Sequence, residues 1–154
     1  GTVVDCSATG MLTVATGGTD NHLMLVDVTP LGLTGRQDAG ALTECGITLN
    51  FNSLPYDPNG PLITSGLRMG TPATTTLGMG PAEMKEIASL VRKVLDNTKP
   101  ATIESGPKAG QQSRIKYTID AGFRSEAQQT VRHLLDRFPV YPELDLALLQ
   151  KYFG

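Results

Sequence analysis

Residues 64–76, TSGLRMGTPATTT, hold one permanent forked cation, Arg68, with Ser65, Gly66, Gly70, Thr71 and Ala73 around it and only Leu67 and Met69 of any bulk beside it. A guanidinium donates two parallel hydrogen bonds that match a carboxylate. Taken alone, Arg68 has two roles open to it: a structural arginine paired with a local Asp or Glu at a strand end, or a clamp on a ligand's carboxylate. Gly66 and Gly70 tilt the reading toward a ligand, because glycine allows close backbone approach. Upstream, NFNSLPYDPNGP sets Asn50 and Asn52 two residues apart. In an extended chain their side chains point the same way and Phe51 points opposite. Paired amides suit the donor and acceptor edge of a heteroaromatic ligand, but asparagine is also an ordinary loop residue, and these residues alone favour a loop.

Other reactive residue types offer less. His22 could act as a general base, yet a single histidine opening an apolar strand reads as a core histidine. His133 lies beside Arg132 on an amphipathic pattern and reads as surface or packing. The threonine run Thr74–Thr76 is followed by Leu77 and Gly78 rather than by a lysine, and reads as a turn with threonine caps. Cys6 and Cys45 make neither a disulfide framework nor a metal spacing, and nothing arranges carboxylates around the two histidines to complete a zinc site.

Composition narrows the class. A chain of 154 residues with 40% hydrophobic and 18% charged residues is long enough and apolar enough for one domain with its own core. A formal net charge of −2 leaves no basic surplus to neutralise a phosphate backbone, which argues against nucleic acid. Apolar runs such as Leu23–Val26 are too short to span a bilayer, and GTVVDCSATG lacks the basic start and apolar core of a signal peptide. A reduced, cytoplasmic setting is expected.

These side chains must be positioned by elements that the patterning names. MLTVAT (11–16) and HLMLVDV (22–28) read as strands, joined through GGTDN as a β-hairpin. Residues 31–46 read as a helix with Thr34 as N-cap and Gly46 as its end. A short strand is expected over 47–50, a Pro-rich loop after it, and a strand over 62–70 with Arg68 near its end. PAEMKEIASLVRKVLDN (81–97) has Pro81 in its first turn and a stripe of Met84, Ile87, Ala88, Val91 and Leu95, which predicts a helix. Residues 98–118 read as a polar connector and 123–138 as another helix; the tail FPVYPELDLALLQKYFG is apolar enough to pack back. The expected fold is α/β, a small, mostly antiparallel sheet of three or four strands with helices packed on one face. The hairpin strands are apolar at consecutive positions, which predicts two covered faces.

Taken in order, TGGTDNHLMLVDV, the LTG that opens the first helix, GITLNFNSLPYDPNGP and SGLRMGTPATTT resemble the C-terminal domain of serine hydroxymethyltransferase (glycine hydroxymethyltransferase). RFPVYPELDL (137–146) resembles the family as well, particularly its long actinobacterial-type members. The resemblance implies the small C-terminal domain of a fold type I pyridoxal-phosphate enzyme. Such an enzyme interconverts serine plus tetrahydrofolate and glycine plus 5,10-methylenetetrahydrofolate. It implies that Arg68 binds the amino-acid carboxylate and Asn52 lies at the folate site. By the same resemblance the pyridoxal phosphate, its Schiff-base lysine and any catalytic residue belong to a large N-terminal domain, because Lys85, Lys93, Lys99, Lys108, Lys116 and Lys151 lie in no matching motif. The chain alone is then inactive, its partners being that large domain and the other subunits of a homodimer or homotetramer.

On this reading 1–10 is a remnant of a preceding segment, 11–97 the α/β core, 98–118 a connector and 119–154 a C-terminal helix and tail. Two residues depart from the family pattern: Phe51 stands where it carries a basic residue, and Leu77 where an arginine is common. Phe51 keeps open a related pyridoxal-phosphate aldolase or threonine transaldolase. A stand-alone, non-catalytic module binding an amino acid or a partner is the third alternative. The first reading predicts an apolar face for the large domain.

Overall fold

The computed structural model of the protein describes residues 12–142 and 151–152. The features expected of the first ten residues and of most of the tail lie outside them. The chain is α/β. Strands β1 (Thr13–Val14), β2 (Leu23–Asp27), β3 (Asn50–Asn52) and β4 (Gly66–Gly70) form one antiparallel sheet in the order β1-β2-β4-β3. Helices α1 (Gly35–Glu44), α2 (Pro72–Thr76), α3 (Pro81–Asp96) and α4 (Ala121–Arg137) accompany it, and β5 (Thr98–Thr102) pairs with β6 (Gln112–Ile119) in a separate ribbon.

Helix α1 begins where Thr34 predicts. Its hydroxyl accepts from the Gln37 backbone N–H while the Gln37 side chain accepts from the Thr34 N–H, a reciprocal capping box. Gly35 lets this first turn lie directly on the loop before β4: a Cβ there would stand 2.5 Å from the Gly66 carbonyl oxygen. Helix α3 starts at Pro81, with the Glu83 carboxylate accepting from the Gly80 N–H. At the far end of α4, Arg137 pairs with Glu83 and Glu86 and ties the two helices together.

Alternation along the strands separates two faces. Val26 and Leu67 are buried, and Met24 and Met69 pack against the same core as Ala39, Leu42, Leu90, Val91, Val94 and Leu95 of α1 and α3. The other face carries Leu23, Leu25, Arg68, Asn50 and Asn52, with Leu23 40% exposed. An apolar groove of about 370 Å³ also opens on the helix side, lined by Met24, Met69, Met84 and Ile87.

Four segments differ from the sequence reading. The threonine run 74–76, read as a turn, is the end of helix α2, which Pro72 starts. The short strand runs over Asn50–Asn52 rather than 47–50, because those residues complete the edge pairing with β4. β4 starts at Gly66; the residues before it turn, with Thr64 at φ 55°. Residues 98–119 are a β-ribbon across α1, not a connector. Gln37 donates to the carbonyls of Ser113 (2.7 Å) and Lys116 (2.8 Å), and the Tyr117 hydroxyl donates to Glu44 at 2.6 Å. Glycine at position 40 leaves room for the Tyr117 ring, which a Cβ there would meet at 2.7 Å.

Candidate functional site

Register brings the singled-out residues together. Arg68 lies directly opposite Leu25 on one side and Asn50 on the other, and Asn52 lies opposite Gly66. Opposed residues share a face of a sheet, so Asn50, Asn52 and Arg68 stand on the side away from the helices. Phe51 is opposite Leu67 and therefore on the helix side. The family departure at Phe51 does not meet the face that carries Arg68.

Arg68 is exposed, and among the described residues its guanidinium makes no hydrogen bond or ion pair. Two carboxylates of the neighbouring strand and loop, Asp27 and Asp57, are engaged elsewhere. Asp27 accepts from the backbone N–H and the hydroxyl of Thr29. Asp57 accepts from Ser65 N–H, Ser65 Oγ, Leu54 N–H and Asn59 N–H, all at 3.0 Å or less. Burial pushes the Asp57 carboxyl up, but these bonds outweigh it and hold it below the ordinary carboxylate range. That carboxylate organises the Pro-rich loop, and among the described residues none forms an ion pair with Arg68.

Arg68 and Asn52 line one open cleft of about 520 Å³ together with Thr16, Thr19, Asp20, Asn21 and Leu25. The GGTDN turn thus borders the site. Sequence reasoning assigned it only to turn chemistry; its one signal was an aspartate at a turn tip next to the strand that pairs with Arg68. His22 is exposed at the start of β2 rather than in the core, and His133 is exposed on α4.

The glycines do something other than admit a ligand. A Cβ on Gly66 would stand 2.8 Å from Leu54 Cδ2 and 3.2 Å from Leu25 Cδ1, and one on Gly70 would stand 2.8 Å from Leu23 Cδ2. The space they leave seats the chain's own leucines. Of these, Leu25 stands directly opposite Arg68 in the register of β2 and β4.

None of the chain's lysines lines the cleft. Among the described residues no group of three or more His, Cys, Asp or Glu could hold a metal ion, and no helix is long and apolar enough to cross a membrane.

The family model for serine hydroxymethyltransferase matches residues 5–91. Curated serine hydroxymethyltransferases are similar to this chain over most of its length. That of Treponema pallidum is 53% identical over 148 residues, covering 96% of this chain and 25% of the relative. That of Chlamydia trachomatis serovar L2 is 48% identical over 138 residues, covering 90% and 27%. That of Salinispora tropica is 47% identical over 133 residues, covering 86% and 27%. The chain spans about a quarter of the length of the curated relatives it matches.

Proposed function

This chain belongs to the serine hydroxymethyltransferase family, and from that premise we propose that it is the C-terminal domain of an enzyme that moves a one-carbon unit between serine and tetrahydrofolate. Within that enzyme Arg68 grips the carboxylate of serine or glycine, and Asn52 contacts the folate. The observation that carries the reading is the unclaimed guanidinium of Arg68 on the open sheet face, in one cleft with Asn52.

The grip has a chemical purpose. Two parallel hydrogen bonds fix the carboxylate plane, and with it the rotation of the other Cα substituents toward whatever lies across the cleft. A lysine would supply charge without setting that rotation. Leu25, opposite Arg68, gives the grip an apolar neighbour on the β2 side.

The residues of this chain do not by themselves fit pyridoxal phosphate, since no lysine lines the cleft. The cofactor and its lysine are assigned to the remaining three quarters of the longer protein, which is also the chain's first partner. Assembly of that protein as a homodimer or homotetramer and a cytoplasmic setting belong to the same reading. With Phe51 turned to the helix side, no observation favours the aldolase or transaldolase alternative.

The test is steady-state kinetics of the full-length protein. Arg68→Lys is expected to raise the KM for serine about a hundredfold, the loss of one to two charge-assisted hydrogen bonds. An unchanged KM would remove Arg68 from the substrate site. Wild-type protein without tetrahydrofolate-dependent serine cleavage would overturn the assignment as a whole.

A further inference from the structure

The cleft holds a second charged side chain that the proposed function leaves unused. The turn between β1 and β2 spends most of its polar groups on itself. Thr16 Oγ1 donates to the Gly18 carbonyl at 2.6 Å, Thr19 Oγ1 donates to the Leu23 carbonyl at 2.6 Å, and Asn21 Oδ1 accepts from the Leu23 N–H at 2.7 Å. Asp20, at the tip, is exposed and lines the cleft, and among the described residues its carboxylate has no hydrogen-bond or ion-pair partner. Arg68 lines the same cleft, yet the two form no ion pair within 4.0 Å.

A cation and an anion held apart in one cleft are complementary to ligands that together present a carboxylate and a set of N–H donors. Resting on the reading above, Arg68 takes the amino-acid carboxylate, and the donors are then those of the cosubstrate beside Asn52. We propose that Asp20 is a further binding residue for the reduced pterin, accepting hydrogen bonds from the adjacent 2-amino and ring N–H donors of its pyrimidine edge. A carboxylate matches two neighbouring N–H donors as a guanidinium matches a carboxylate. It rejects ligands lacking them, since its lone pairs would be desolvated without repayment.

The experiment uses the full-length protein with Asp20→Asn and Asp20→Glu, serine, tetrahydrofolate and 2-desamino-tetrahydrofolate. Asp20→Asn is expected to raise the KM for tetrahydrofolate at least about tenfold while the KM for serine moves less than about twofold, with partial recovery in Asp20→Glu. Wild type is expected to discriminate against the 2-desamino compound, and Asp20→Asn to lose most of that discrimination. A tetrahydrofolate KM unchanged in Asp20→Asn, or KM values for both substrates rising together, would overturn the role of Asp20 and leave the Arg68 assignment standing. Wild-type protein with no folate-dependent activity would overturn both.

Discussion

Asp38 lies on the stripe of α1 that faces the sheet, is 0% exposed, and neither of its side-chain oxygens has a hydrogen-bond partner. Burial without a partner pushes its pKa from 3.8 up to about 8. Above pH 4 the unfolded chain has released this proton while the folded chain retains it, so folding takes up a proton and stability falls as pH rises. The loss runs from the unfolded value to about 8, at about 1.4 kcal/mol per pH unit. Between pH 5 and pH 8 the wild-type chain therefore loses about 4 kcal/mol, a large share of the roughly 5–15 kcal/mol typical of a domain. Asp38→Asn keeps the shape and cannot ionise. Urea unfolding at pH 5, 6, 7 and 8 should show the stability of the variant relative to wild type rising by about 4 kcal/mol between pH 5 and pH 8, with the same denaturant slope. Parallel stability–pH curves would refute the reasoning, because the carboxyl would then be ionised or partnered in the folded chain.

Gln37→Ala should release the ribbon from α1 by leaving the Ser113 and Lys116 carbonyls without their donor, a loss of about 1–3 kcal/mol. Faster amide exchange across 112–119 than across β2 and β4 would report it. Gly66→Ala places a methyl 2.8 Å from Leu54 and 2.9 Å from the Asn52 carbonyl, and is expected to cost about 1–3 kcal/mol in thermal unfolding. The Glu44 carboxyl is held below its ordinary value chiefly by the hydrogen bond from Tyr117, with burial opposing it and Arg124 assisting. Tyr117→Phe should move the Glu44 titration upward in an NMR pH series and leave Arg124 as its remaining partner.

Helices were legible because their signals are local. Thr34 and Gln37 satisfy each other within one turn, and Pro81 with the 84–95 stripe marks α3 without reference to anything distant. The strand at Asn50–Asn52 was misplaced because an alternation of three residues before a Pro-rich loop is too short to fix its bounds; only pairing with Gly66–Arg68 sets them. The ribbon escaped for a related reason. Pro100 sits within β5, where a missing N–H argues against a strand, and the bonds that hold β6 to α1 come from Thr34 and Gln37, 76 to 80 residues away in sequence. Arg68 stood out by its residue type among small neighbours. The sequence did not show that Gly66 and Gly70 also make room for Leu23 and Leu25 of β2 and for Leu54 of the Pro-rich loop, a packing visible only in the folded chain. Asp38 gave no signal, because nothing in GRQDAGAL tells a buried aspartate from a solvated one.

The measurement that bears most directly on the role of Arg68 compares serine with serinamide, which lacks the carboxylate, as substrates of the full-length protein and of its Arg68→Ala variant. If Arg68 grips that carboxylate, wild type should prefer serine by about a hundredfold or more in kcat/KM, and the variant should lose nearly all of the preference by penalising serine alone. A variant that slows both substrates equally would contradict the account, because Arg68 would then be shaping the protein rather than binding the carboxylate.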